Sequence, residues 1–328
     1  MVAFDPAVGF HPDLADPMGD KLRVAVIGVG YLGRFHALIY SRMPDVDLVG
    51  VVDTDPDRVH QVADEVGCPG YTNSNLLEGL VDAVSIVVPT TSHLAVAAPF
   101  LRLGVHTLLE KPIAATFDEG AEIVRLAEES GAILQIGHLE RYNAGVMALA
   151  QRISEPLYIE AQRMGGFVER ATDVDVVSDL MIHDIDIILS LVGSEVQDIA
   201  AVGTPVLTEH VDIASARLSF ANGAVANVVA SRVSDKPMRR IRIFQRKAYL
   251  SLDFVEQTID IARTRLVEDQ ERPEIHRERI QVAPVKPLDE ELAAFVTCVR
   301  ERRPPLVDGR VGLKALQVAL DVQRSIGA

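Results

Sequence analysis

The sequence predicts an α/β protein: an N-terminal doubly wound parallel sheet, then a C-terminal α+β domain with a mainly antiparallel open sheet. Three observations predict it. Short apolar, β-branched runs alternate with helical patterns from Arg23 to Gly137. A glycine-rich turn follows the first of those runs. Past about residue 141, runs of alternating polarity take over, the mark of a sheet with one open face.

Residues 1–20 hold three prolines without clean periodicity and read as an extension. Arg23–Gly28 (RVAVIG) is a short apolar run ending in glycine, which suits a buried parallel strand. Tyr31–Met43 is helix-like, and Val46–Asp53 is the second strand. Asp57–Val66 reads as a helix, bounded by Pro56 and Gly67. Asn75–Gly79 is a short helix or turn, and Ala83–Val88 is the third strand. His93–Leu103 is helical and Val105–Leu109 is the fourth strand. Phe117–Ser130 is helical, and Ile133–Gly137 closes the series. This alternation means βαβ units joined by right-handed crossovers.

Beyond Arg141, Leu157–Met164 alternates and Val176–Val192 is a long apolar helix. Ile199–Thr204, Ile213–Phe220, Ala224–Ser231, Arg240–Gln245 and Tyr249–Asp253 are strands, with Asn222-Gly223 as a hairpin signal. Glu290–Arg302 and Gly312–Ser325 are amphipathic helices that close the chain.

The chain has 328 residues and a formal charge of −15, which argues against nucleic-acid and anionic-membrane partners. A local pocket for a small anion stays open. Cys68 and Cys298 lack the spacing of a disulfide framework or a cysteine zinc site. The longest uncharged stretch, Ala83 to Leu101, contains Pro89, His93 and Pro99, so it is a poor membrane span. The N-terminus has no basic region and four aspartates, unlike a signal peptide. A reduced cytoplasm is the expected compartment.

Gly28, Gly30 and Gly33 form G-x-G-x-x-G between the first strand and a helix. The first glycine permits the tight turn, the second a close pyrophosphate, the third close helix–strand packing. The backbone of Tyr31 and Leu32 lies in the same phosphate-facing turn. Asp53 ends the next strand, 20 residues after Gly33, where its carboxylate meets ribose hydroxyls. Together they predict a Rossmann dinucleotide site. A carboxylate there repels a 2′-phosphate, and no basic residue stands adjacent, so NAD is expected over NADP. The expected division is 1–20 extension, 21–141 NAD-binding domain and 142–328 α+β domain for substrate binding and oligomerisation.

Glu110-Lys111-Pro112 follows a predicted strand, at the sheet end that faces the ligand crevice. Taken alone, the tripeptide reads as an ordinary surface pair in a turn. The helix DLMIHDIDIILSLV is apolar nearly all round, yet places Asp179, His183 and Asp186 at i, i+4 and i+7 on one face. An Asp four residues from a His can orient its imidazole for acid–base work. A capping Asp179 beside a satisfied core histidine is the plainer reading. A metal site from these three lacks further ligands, and no metal is expected. His36, His93 and His138 lie near predicted strand ends, where packing is the common role. Arg141 and Asn143, at the entrance to the second domain, are candidates for polar substrate contacts. Arg163 and Arg170 flank Gly165-Gly166 and are candidates to grip a phosphate, against ion pairing as the usual fate of an arginine. Arg239, Arg240, Arg242, Arg246 and Lys247 alternate with Ile241 and Ile243 and read as one solvated or subunit-facing strand side.

Together these features resemble the glucose–fructose oxidoreductase/inositol dehydrogenase (Gfo/Idh/MocA) family over nearly all of 22–328. The matching pieces are VAVIGVGYLGRFH at 24–36, Asp53, PTTSH at 89–93, LLEKPIA at 108–114 and DLMIHDID at 179–186. The resemblance implies that Thr90, His93, Glu110 and Lys111 line the cofactor site, often with a cis bond before the proline. It implies catalytic roles for Lys111, Asp179 and His183, with either Lys111 or His183 as the base. Met181 and Ala144 depart from the family's usual glycine and proline and put the sugar pocket in doubt. Within the family, residues 163–191 are most similar to a bacterial subgroup. That similarity implies oxidation of the 3-hydroxyl of UDP-N-acetylglucosamine to the 3-keto sugar that leads to 3-amino lipid A precursors. A UDP-hexuronate, or a polyol such as inositol, is the alternative substrate. A non-catalytic dinucleotide sensor is the alternative of another class. Relatives imply a homodimer or homotetramer joined through the open sheet face.

Overall fold

The computed structural model describes residues 21–167, 174–265, 274–283 and 285–327. The expected extension at 1–20 and Arg170 lie outside the described residues. The chain opens with β1 (Leu22–Ile27), α1 (Tyr31–Tyr40), β2 (Val46–Val52), α2 (Pro56–Val66) and β3 (Gly70–Tyr71). There follow β4 (Ala83–Ile86), α3 (His93–Arg102), β5 (His106–Glu110), α4 (Phe117–Ser130) and β6 (Leu134–Gly137). The six strands form one parallel sheet, ordered β3-β2-β1-β4-β5-β6. Local chemistry sets the helix starts. Asp55 caps α2, with Pro56 in the first turn, and Thr116 forms a capping box with Glu119 at the head of α4.

The second part holds α5 (Ala144–Ala150), β7 (Pro156–Met164), a π-helical turn (Val177–Met181) and α6 (Ile182–Val192). Seven strands follow: β8 (Val196–Thr204), β9 (Ile213–Phe220), β10 (Val225–Ser231), β11 (Met238–Gln245), β12 (Ala248–Asp253), β13 (Thr258–Arg265) and β14 (Glu274–Gln281). With β7 they make an eight-stranded sheet, ordered β14-β13-β12-β11-β7-β10-β9-β8. All neighbours in it are antiparallel except β7 and β10. Asn222-Gly223 makes the β9–β10 turn, with Gly223 at φ +85° and Phe220 N–H donating to the Ala224 carbonyl. One sheet face carries the core: Ile159, Ala161, Ile241 and Ile243 pack with Ile182, Ile185 and Ile188 of α6.

The last helices, α7 (Pro287–Glu301) and α8 (Gly309–Ile326), do not stay with the second sheet. Leu292, Phe295, Val296 and Val299 of α7 pack on Val24 and Val26 of β1. Leu316 of α8 joins the core of the first sheet, while Val318, Ala319 and Val322 join that of the second. The chain end therefore fastens the two sheets together. Among the described residues, no helix is long and apolar enough to cross a membrane.

Candidate active site and cofactor cradle

Two glycines of the β1–α1 turn are required by close contacts, and the third leaves open space. Gly28 has φ +87°, and a Cβ there would lie 2.3 Å from the Val87 carbonyl oxygen. At Gly33 a Cβ would come within 1.8 Å of the Gly28 carbonyl oxygen, so only hydrogen lets α1 approach. A Cβ at Gly30 would meet nothing within 4 Å. That opening lies at the start of α1, which no side chain caps. The turn's N–H groups, including those of Leu32 and Gly33, are thus placed for an anion. Tyr31 is largely exposed on the first turn and meets Phe35 edge-on.

Asp53, after β2, accepts from the Val29 N–H at 2.9 Å and the Asp55 N–H at 3.1 Å. Sequence adjacency showed no cation, but α2 brings one: Arg58 Nη1 is 3.4 Å from Asp53 and Nη2 is 3.5 Å from Asp55. Two carboxylates against one guanidinium keep the corner negative, which suits ribose hydroxyls over a phosphate. Open backbone at Gly30 and a fixed carboxylate at Asp53 fit NAD.

Thr90 begins a short 3-10 turn (Thr90–Ser92) after β4 and is half-buried. His93 departs from the cofactor-contact expectation. Its Nδ1 lies 3.2 Å from the Ile113 carbonyl and its Nε2 3.0 Å from the Val88 carbonyl. The ring thus lies between a carbonyl of the β4 exit and one of the loop after β5, and because burial lowers its pKa and keeps it neutral, one nitrogen donates to one of the two. Glu110 also departs from it. Its carboxylate is buried 3.4 Å from His36 Nε2, and a Cβ at Gly137 would touch it at 2.9 Å. Glu110 thus points into the protein behind Lys111. Farther in, Glu291 of α7 is fully buried, and that burial, with Glu110 adding, pushes its carboxyl well above the usual range.

Lys111 leaves the end of β5, with a cis bond to Pro112. Its Nζ donates to the Asp179 carbonyl at 2.7 Å and lies 3.6 Å from the Asp179 carboxylate. Burial pulls the Lys111 pKa down, and Asp179 opposes that pull. The expected pairing of Asp179 with His183 is not present. The segment Val177–Met181 is a π turn, so the i, i+4 geometry of an α-helix does not apply there. Asp175 starts that turn by accepting from the Val177 and Ser178 N–H groups, and Gln323 of α8 donates to Asp175 at 2.6 Å. Asp179 accordingly serves Lys111.

His183 sits in the first turn of α6, buried, with Nδ1 lacking a partner. Burial first, then the charges of Lys111 and Arg163, hold its pKa well below 6.5, so the ring is neutral at neutral pH. His138, set aside from sequence as a packing residue, stands edge-on to His183 with centroids 6.5 Å apart. Both its ring nitrogens are buried without partners. Its position after β6 was visible in sequence; its neighbour across the cleft was not.

The remaining substrate candidates are committed elsewhere. Arg163 is buried, with Nε and Nη2 on Asp184 at 2.9 and 3.0 Å and Nη1 on Glu140 at 2.9 Å. It is a structural ion triad, not an open phosphate clamp. Asn143 caps α5 through the Gly145 N–H at 2.9 Å and donates to Glu140. Arg141 meets Asp186 at 3.3 Å. Among the described residues, no three His, Cys, Asp or Glu side chains gather to hold a metal ion.

Residues 22–138 match the oxidoreductase family model described as an NAD-binding Rossmann fold. Residues 147–251 match the GFO/IDH/MocA C-terminal domain. The chain belongs to the Gfo/Idh/MocA oxidoreductase family. It is 39% identical over 308 residues to UDP-N-acetylglucosamine 3-dehydrogenase of Acidithiobacillus ferrooxidans, covering 94% of this chain and 98% of that one. A solved structure of that enzyme matches with a TM-score of 0.88 at 38% identity, covering 93% of this chain and 97% of that one. The NAD-dependent scyllo-inositol 2-dehydrogenase of Bacillus subtilis is 29% identical over 66% of this chain and 69% of its own. This family member is an oxidoreductase, and NAD is its cofactor.

Proposed function

We propose that this enzyme oxidises the 3-hydroxyl of UDP-N-acetylglucosamine to a ketone. One juxtaposition carries the chemistry: the Lys111 ammonium, held on Asp179 at 2.7 Å, beside the buried neutral His183. The full-length similarity to a UDP-N-acetylglucosamine 3-dehydrogenase supports the substrate. Bound NAD supplies the hydride acceptor. Lys111 donates a hydrogen bond to the reacting oxygen and offsets the negative charge that grows there. His183 takes the hydroxyl proton, because its ring is neutral and its Nδ1 is the sealed side. Asp179 holds the ammonium in place. The 3-keto product is of the class an aminotransferase converts to a 3-amino sugar for lipid A. We read the enzyme as a cytoplasmic homo-oligomer paired through the open sheet face, where Val202 is exposed.

A substrate panel followed by NADH absorbance tests this reading. Turnover is expected with UDP-N-acetylglucosamine at a kcat/KM at least about tenfold above any free polyol or UDP-hexuronate, a gap of about 1.4 kcal/mol. Turnover of inositol with none on UDP-sugars would refute it in favour of the polyol reading. Light scattering on the same sample should give more than one chain's mass.

A further inference from the structure

A nucleotide sugar brings a diphosphate to this site, and planar, exposed guanidinium groups bind such anions best. Arg163 cannot serve, being locked on Asp184 and Glu140. The strand beside it offers a replacement. In the β7–β11 pairing, Arg239 stands directly opposite Arg163, Ile241 opposite Ala161 and Ile243 opposite Ile159. Directly paired residues share a sheet face. Arg239 therefore belongs to the face covered by α6, not to the open face. Its neighbours Arg240 and Arg242 take the open face, where they pair with Asp253 and Glu160. The basic run read from sequence as one side thus splits in two.

Arg239 lies past the end of the apolar row, and there it is exposed. Among the described residues it has no ion-pair partner. Its charge is felt by both His183 and Asp184 on α6. Phe254, whose N–H donates to the Arg239 carbonyl, packs under Arg163 at 5.7 Å, so these groups form one end of the sheet beside the active-site helix.

We propose that Arg239 binds the diphosphate of the nucleotide-sugar substrate and sets the enzyme's preference for phosphorylated over free sugars. The inference rests on the nucleotide-sugar reading above. The test compares wild type with Arg239→Ala and Arg239→Lys, using UDP-N-acetylglucosamine as substrate and UDP as competitive inhibitor. Arg239→Ala should raise KM about tenfold or more and weaken UDP inhibition by the same factor, with kcat within about threefold. Arg239→Lys should recover part of both. Arg246→Ala, which removes the same charge at the far end of β11, should leave both constants unchanged. An active wild type with unchanged KM and UDP inhibition in Arg239→Ala overturns the role of Arg239 alone. A wild type that neither oxidises UDP-N-acetylglucosamine nor responds to UDP overturns the substrate reading, and this inference with it.

Discussion

Lys111 and His183 come from segments 72 positions apart in sequence and meet in one buried corner. Burial disfavours charge on both, and the Lys111 charge further lowers the proton affinity of His183. Asp179 resolves the conflict by keeping the lysine charged while the histidine stays neutral. Lys111→Ala and His183→Ala should each cut kcat by about 100-fold or more, while the dissociation constant for NAD stays within about threefold. Stopped-flow absorbance and a fluorescence titration with NAD measure the two, and parallel loss of cofactor binding would count against the assignment. The sign of the pH effect follows. Because the His183 pKa lies well below 6.5, activity should persist under pH 6.5 and fall only at more acidic values, and His183→Ala should lose that acidic limb. Sequence spacing singled out Asp179 and His183 but paired them with each other. The π turn at 177–181 moved Asp179 to a different partner.

Between elements, Arg163 ties β7 to α6 through Asp184 and to the turn after β6 through Glu140. Removing the guanidinium would leave two carboxylates buried without a cation. Arg163→Met should therefore lower stability by about 3–5 kcal/mol, and urea unfolding monitored by circular dichroism reads it. A midpoint equal to wild type would show that water replaces the arginine freely. The strand pattern was legible where one face is buried, as in β7, β9, β10 and β11. Three strands, β3, β13 and β14, were not. In β14 the sequence EIHRERIQ carries four charged residues, and only Ile280 is even partly buried among its side chains. An edge strand needs no apolar face, and its charges discourage further pairing. That is why its signal is absent from the sequence.

Across the whole molecule, the returning α7 and α8 do what no local pattern announced. α7 brings Arg302 to the start of β5, beside His106. His106 is buried and accepts the Ile133 N–H on Nδ1 at 2.9 Å, which requires a lone pair there. Burial, then Arg302, against the pull of Asp82, lowers its pKa from 6.5 to about 4. The unfolded chain therefore binds this proton first as pH falls. The contribution is intact above pH 6.5 and is lost progressively down to about pH 4, at about 1.4 kcal/mol per pH unit. Between pH 6.5 and 5 the wild type should lose about 2 kcal/mol more than His106→Gln in urea titrations. Equal losses would place the pH dependence elsewhere.

The sequence by itself determined the alternation of the first sheet, the glycine turn with its distant Asp53, and the segments that bear Lys111 and His183. Each is written in local spacing, because a strand of period 2, a helix of period 3.6 and a three-glycine turn need only near neighbours. Tertiary structure alone decided which arginine is spent and which is offered. Arg163 finds its carboxylates 21 and 23 residues away, on other elements, while Arg239, set opposite it by strand register, finds none among the described residues. It also decided that His93 and Glu110 face inward and that Arg58 reaches Asp53. Charge pairing acts through space, and only the packed sheets bring those distances into range.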